Sequence, residues 1–216
     1  MSERRLRAVA LLSGGLDSGV AAGLFRAAGG ELVQALFVDY GQRAAGPEAN
    51  ASRRLAERWG VAWRRVAMPW LAEVGKLAGS ALLDPQAALP AGTVEQPGDA
   101  TSAARVWVPA RNAVFVAVAA AFAEALAADH VLAGFNREEA ATFPDNSAGF
   151  VAAGTAFLGL GTRTQVAVAS PTLAMDKREI VAAARSLGLG AADFWSCYTA
   201  GPRPCGVCES CLRSRW

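Results

Sequence analysis

The apolar run from Arg7 to Leu12 stops at a pair of glycines. Ser13-Gly14-Gly15-Leu16-Asp17-Ser18 follows it directly, and from Ser18 to Ala28 small and apolar residues recur at helical spacing until Gly29-Gly30. A short, unbroken apolar run suits a strand buried on both faces, and such a strand needs helices above and below it. The pattern then repeats. Glu31 to Val38 reads as a second strand ending in Asp39-Tyr40-Gly41, Pro47 to Trp59 as a helix with proline in its first turn and Gly60 as its stop, and Val61 to Ala67 as a third strand. Strands and helices that alternate with short links predict the α/β class, here a doubly wound, mostly parallel sheet with helices on both faces. Further on, an alanine-rich helix is expected around Pro109 to Asp129, strands over 130–135 and 164–170, and a helix near Asp176 to Leu187. No internal repeat is visible. The reading divides the chain into a main domain over 1–190 and a small C-terminal cysteine-bearing region over 191–216 packed on it.

Composition narrows the function classes. A chain of 216 residues can bury one sizeable core. The longest apolar candidate, Ala113 to Leu126, contains Glu124 and falls short of the ~18 residues a membrane span requires. The N-terminus reads as a first strand, not a leader, so a cytoplasmic protein without membrane association is expected. The net charge is +2 with both signs interspersed, which provides no electrostatic footprint for a stable nucleic-acid partner and favours small-molecule chemistry. A single histidine, His130, rules out a histidine-rich metal centre and reads as a strand-entry residue. The tryptophans at 59, 63, 70 and 107 are most economically core or interface. Ser80 to Arg105, with Pro85, Pro90 and Pro97, reads as a long loop: either a lid or a disordered insertion.

The glycine turn lies where doubly wound sheets bind ligands, at the carboxyl end of a strand. Gly14 and Gly15 let backbone amides approach an anion, Ser13 and Ser18 offer hydroxyls, and the following helix adds its positive N-terminal dipole. No lysine follows the glycines, so the turn is not a Walker loop; nor is it GxGxxG. Asp17 would repel phosphates unless a divalent cation intervenes, which implies Mg2+. The plainer alternative is a turn with an N-cap serine. Arg111 and Asn112 fall at the start of the long helix, where an arginine can pair bidentately with a phosphate or carboxylate. Asp39 is placed at the end of a strand to meet a ribose or adenine.

SGGxDS is the signature of the PP-loop ATP pyrophosphatases, and the chain resembles that superfamily. Phe37 to Arg43 (FVDYGQR), Val108 to Asn112 (VPARN), Gly134 to Asn146 (GFNREEAATFPDN), the SPT stretch followed by Lys177 and Glu179, and WSCY with the cysteines narrow this to a resemblance with the 7-cyano-7-deazaguanine synthase family. The resemblance implies an adenine nucleotide alpha-hydrolase-like fold and an ATP-dependent carbon–nitrogen ligase acting on 7-carboxy-7-deazaguanine and ammonia, through an adenylated carboxylate and an amide, to the nitrile. It implies catalytic roles for Ser13, Asp17, Ser18 and Arg111. ATP would be held by Leu12, Ser13, Gly14, Gly15, Leu16, Asp17, Ser18, Gly19, Asp39 and Asn112. The acceptor would meet Tyr40, Gln42, Arg43, Asn136, Phe143 and Asp145, with Asn136 and Asp145 reading the deazaguanine edge. A homodimer is in keeping with the family. Two departures fall where substrate should be read: Ala44 stands where many relatives carry histidine, and Thr142-Phe143-Pro144-Asp145-Asn146 replaces a Gly-Tyr-Pro-Asp-Cys stretch. The alternatives are a related enzyme that passes the activated carboxylate to another amine, or a tRNA-modifying PP-loop protein.

Cys197, Cys205, Cys208 and Cys211 follow one another with seven, two and two residues between them. Four thiolates this close can close a tetrahedron around Zn2+, while an iron–sulfur cluster is the rival. The resemblance implies one structural zinc per chain. With all four cysteines on a metal, none remains as a persulfide carrier or glutaminase nucleophile, so the nitrogen donor should be free ammonia.

Overall fold

The computed structural model describes residues 4–91 and 100–214. Its first strand, β1 (Arg7–Leu11), explains the layering. Ala8, Ala10 and the following Leu12 face one core cluster, while Val9 faces another. Small alanines on the first face let α1 (Leu16–Ala27) and α8 (Lys177–Ser186) lie close to the sheet, through Leu16, Val20, Ile180 and Ala184. On the second face, α5 (Arg111–Ala125) buries Val116, Ala119, Ala120 and Ala123 beside Leu158 of α7 (Ala148–Gly161).

Five strands form one parallel sheet in the order β3-β2-β1-β4-β5, with β2 (Glu31–Asp39), β3 (Trp63–Ala67), β4 (His130–Leu132) and β5 (Ala167–Ala169) joining β1. The chain moves outward from β1 to β3 on one side, then returns to continue through β4 on the other. The crevice between the ends of β1 and β4 is therefore the topological switch point, where open α/β sheets bind ligands. α2 (Ala45–Arg58) connects β2 to β3 with Pro47 in its first turn, as the sequence predicts. His130 opens β4.

The strands expected over 130–135 and 164–170 are shorter in the structure, and the residues after β4, Ala133 to Phe135, line a cavity instead of extending the strand. Among the helices with no counterpart in the sequence reading, the two longest are α3 (Pro69–Leu77) and α7. α7 is apolar almost all round and buries only Leu158, leaving Phe157 and Leu160 exposed, so no 3.6-residue stripe betrays it.

The stretch read as one long loop is largely structured where it is described. Ala81, Leu82 and Leu83 are buried, α4 (Ala100–Val106) follows, and Ala91 forms an antiparallel bridge with Cys208. Residues 92–99, with Pro97, lie outside the described residues. A short α6 (Arg137–Ala140) and a terminal α9 (Glu209–Arg213) complete the helices named here. The C-terminal region packs onto the glycine turn: the Trp195 amide donates to the Gly14 carbonyl at 2.8 Å, and Phe194 sits where a side chain at residue 19 would be.

Candidate active site

A cavity of ≈300 Å3 opens over the ends of β1, β2 and β4. Its floor is the turn after β1. Gly14 has φ +85°, and a Cβ there would stand 2.2 Å from the Glu48 carbonyl oxygen, so both conformation and space require glycine. Gly15 caps α1 without any side-chain hydrogen bond, which leaves the first-turn amides of that helix for an anion. The two serines are locked to each other. Ser13 and Ser18 hydroxyls are 2.9 Å apart, and the Ser13 amide donates to Ser18 Oγ at 3.2 Å. Just past the end of β4, Gly134 lets the backbone close in, since a Cβ there would be 2.4 Å from the Ser18 nitrogen.

A lysine does enter this floor, but from a distant segment. Lys177 Nζ lies 2.6 Å from Asp17 Oδ2 and 3.1 Å from Glu139 Oε1. It is the first residue of α8, whose start is fixed by a capping box between Asp176 and Glu179. A cation at a helix N-terminus opposes the macrodipole, so helix stability does not explain this lysine. Burial alone would lower the Lys177 pKa, but the Asp17 and Glu139 carboxylates more than offset it and hold the ammonium above the ordinary lysine range. Burial also raises Asp17, against the pull of Lys177, whereas in Glu139 burial is outweighed by Lys177, Arg213 and Arg111 together, which lower the carboxyl. Asp17 Oδ1 is buried with no hydrogen-bond partner among the described residues.

Across the cavity stands Arg111, donating to the Tyr40 hydroxyl at 3.2 Å, with its guanidinium 5.8 Å from that ring's centroid. Glu48, in the first turn of α2, accepts from Gln42 Nε2 at 2.8 Å. Burial pushes its carboxyl up to about 7, with the Gln42 hydrogen bond and Arg111 acting in the opposite sense. The rings of Trp107 and Phe143 lie 6.1 Å apart and within 6° of parallel on the cavity wall. Trp107 is therefore not simply a core residue.

The sequence-predicted residues divide. Ser13, Gly15, Leu16, Asp17, Ser18, Tyr40, Gln42, Arg43, Arg111, Asn112 and Phe143 line the cavity. Leu12, Gly14 and Gly19 sit beneath or beside the turn and shape it without lining it. Asp39 does not line it either: Arg65 pairs with its Oδ2, Nε at 2.9 Å, and its Oδ1 accepts from the Gly41 amide. Asn136 is fully buried and caps α6, accepting from the Glu139 amide at 2.9 Å. Asp145 is buried beside the cavity, where the Asn112 amide and Arg111 draw its pKa down against a stronger rise from burial. Arg43 also donates to the carbonyls of Ala81, Asp84 and Ala87, tying the 81–91 segment to the wall.

Sequence reasoning assigned no site role to Lys177, Glu139, Glu48 or Tyr198 and read Trp107 as core or interface; all five line the cavity. The available signals were faint: a lysine directly after an N-cap aspartate, and an acid in the first turn of a helix following GQR.

The four cysteines converge as the spacing predicts, with their sulfurs all within 4.8 Å of one another. Backbone amides of Thr199 and Cys205 donate to Cys197 Sγ at 3.4 and 3.3 Å, which suits thiolates in a metal shell. The region they brace carries Trp195, Ser196 and Tyr198 into the cavity wall.

The family model described as "Queuosine biosynthesis protein QueC" matches residues 7–215 of the chain. Among curated relatives, the 7-cyano-7-deazaguanine synthase of Pelotomaculum thermopropionicum is 44% identical over 212 residues, covering 96% of this chain and 94% of the relative. That of Methanothermobacter thermautotrophicus is 41% identical over 217 residues, covering 97% and 93%. Among solved structures, NMN synthetase from Francisella tularensis superposes with a TM-score of 0.50 at 15% identity, covering 88% of this chain and 65% of that one, which is a likeness of fold.

Proposed function

The chain belongs to the family of the queuosine biosynthesis protein QueC, and on that premise we propose how its site makes 7-cyano-7-deazaguanine. It is an ATP-dependent synthase acting on small molecules. The observation that carries the mechanism is the meeting of Lys177 with Asp17 above the uncapped N-terminus of α1.

A carboxylate is a poor electrophile because its oxygen is a poor leaving group. The carboxylate of 7-carboxy-7-deazaguanine attacks the α-phosphorus of ATP, pyrophosphate departs, and the acyl adenylate is exposed to ammonia, which displaces AMP and leaves the amide. The amide oxygen attacks a second ATP in the same way, and loss of AMP leaves the nitrile. Both activations pose one problem, charge on transferring phosphates, so one site serves both. Ser13, Ser18 and the first-turn amides of α1 seat the phosphates. Lys177 supplies the positive charge that the turn itself lacks, and Arg111 steadies the anion from the opposite wall. The unpartnered Asp17 Oδ1 fits Mg2+, with Lys177 holding the other oxygen; the ion would screen phosphate charge there. Trp107 and Phe143 offer a flat apolar wall for the deazaguanine ring.

Cys197, Cys205, Cys208 and Cys211 would hold one structural Zn2+, which would brace Trp195 to Tyr198. Reduced thiolates and ATP chemistry suit a cytoplasmic setting. A second copy of the chain would cover the exposed Phe157 and Leu160 of α7. The test is incubation of the zinc-loaded protein with ATP, Mg2+, ammonia and 7-carboxy-7-deazaguanine, read by mass spectrometry. AMP, pyrophosphate, transient amide and final nitrile are expected; ADP, or an untouched acid, would refute the reading. AMP with amide and no nitrile would favour the amine-transferring alternative.

A further inference from the structure

Nitrogen must lose protons in this chemistry. When ammonia bonds to the activated carbonyl carbon, the carbon–oxygen bond to AMP breaks, AMP takes that electron pair, and the ammonium-like nitrogen sheds one proton to become the amide. When the adenylated amide collapses, both remaining N–H protons leave as the carbon–nitrogen triple bond forms and AMP departs. A base within reach of the nitrogen is required in both steps, and it must be neither permanently paired nor too weak.

Among the described residues, three carboxylates line the cavity: Asp17, Glu48 and Glu139. Asp17 and Glu139 both contact the Lys177 ammonium, at 2.6 and 3.1 Å, which occupies them. The single histidine opens β4 and does not line the cavity. Glu48 remains. Its main chain touches the phosphate turn, where a Cβ on Gly14 would meet its carbonyl, and its side chain faces the cavity between that turn and Arg111. Its orientation is built in. Gln42 is buried, accepts from the Tyr40 amide at 3.0 Å, donates to the Val38 carbonyl at 3.3 Å, and grips only Oε2 of Glu48.

We propose that Glu48 is the catalytic proton acceptor for nitrogen in both the amide-forming and the nitrile-forming step, with Gln42 as its positioning residue. The proposal rests on the synthase reading above. The carboxylate takes one proton as the amide forms; in the second step it takes each proton in turn and returns it to water between transfers. The charged groups whose fields reach it are Arg111 from α5, Asp39 from the end of β2 and Cys197 from the C-terminal region. Burial is the largest influence, and the carboxyl titrates at about 7, where a base still ionised at physiological pH accepts a proton most effectively.

The experiment uses the full, zinc-loaded chain and its Glu48→Gln variant, which keeps an acceptor for Gln42. Adenylation is read alone, as acid-dependent exchange of labelled pyrophosphate into ATP without ammonia. Amide formation and conversion of supplied amide to nitrile are then read with ammonia and ATP across pH 5.5–9 (roughly the window around a group near 7). Expected are near-normal exchange, a fall of about 10²–10⁴-fold in both nitrogen steps, and loss of the acidic limb of the wild-type pH profile. Glu48→Asp should regain part of both steps. Normal amide and nitrile rates in Glu48→Gln would overturn the assignment, as would an equal loss of pyrophosphate exchange, which would place Glu48 in ATP binding. A wild-type protein that exchanges pyrophosphate with no deazaguanine acid would instead refute the synthase reading itself, and Glu48's role with it.

Discussion

Lys177 and Asp17, 160 residues apart in the chain, form an ion pair at 2.6 Å on the floor of the cavity. The side chain of Lys177 is only 10% exposed, and Glu139 shares it. A half-paired version of this cluster would leave carboxylates desolvated without a counter-charge, so the pair ties stability to function.

Lys177→Met should therefore abolish ATP turnover and also destabilise the fold, by about 3–5 kcal/mol if the remaining carboxylates stay ionised. Adding Asp17→Asn should recover part of the stability and none of the activity. Chemical denaturation of the two single variants and the double variant, beside pyrophosphate exchange, checks this; additive stability effects would mean the pair is not coupled.

Glu48 carries a stability signature of its own. Its folded-state pKa is raised from 4.5 to about 7, so its contribution is most favourable below 4.5 and is lost as pH rises through 7. Glu48→Gln does not titrate. The stability of the variant relative to wild type should thus increase between about pH 4.5 and 7 and level off above. Urea midpoints at a series of pH values measure it, and a flat difference would count against the raised pKa.

Metal analysis should find about one zinc per chain in a colourless protein, because a d10 ion in a closed thiolate shell has no visible bands. Cys208→Ser should lose the metal, and with it folding energy and the cavity wall formed by Trp195 to Tyr198. Stoichiometric iron in a brown protein would select the cluster instead.

Trp107→Ala and Phe143→Ala should weaken binding of the deazaguanine acid by about tenfold each, near 1.4 kcal/mol, while the KM for ATP changes little. Steady-state kinetics with each substrate varied separately tests the division of the cavity.

Asp39→Asn should leave ATP turnover near wild type. Arg65 holds that carboxylate outside the cavity, and an ion pair this exposed contributes about 0–1 kcal/mol. A large drop in kcat would restore the role its strand-end position suggested.

Much of the site was legible in the sequence because its signals are local. The turn from Ser13 to Ser18 needs glycines, hydroxyls and a following helix within a few residues, and all of that is contiguous. The same holds for the cysteines, whose spacing alone brings four sulfurs within reach of one ion. The alternation of strands and helices predicted the parallel sheet because each βαβ unit is closed by neighbours in the chain. α7 escaped because a helix that is apolar all round has no period to read.

Which polar groups share the cavity is a different kind of question. Asp39 and Lys177 both stand at element ends facing the same rim of the sheet, yet one is turned away by Arg65 and the other reaches the glycine turn. That outcome depends on β4 adding beside β1 and β5 beside β4, after which α8 packs against α1. Periodicity, turn chemistry and ligand spacing act over a few residues and are written in the sequence. The partner of a buried charge is selected by strand order and packing across the whole chain, and only the tertiary structure decides it.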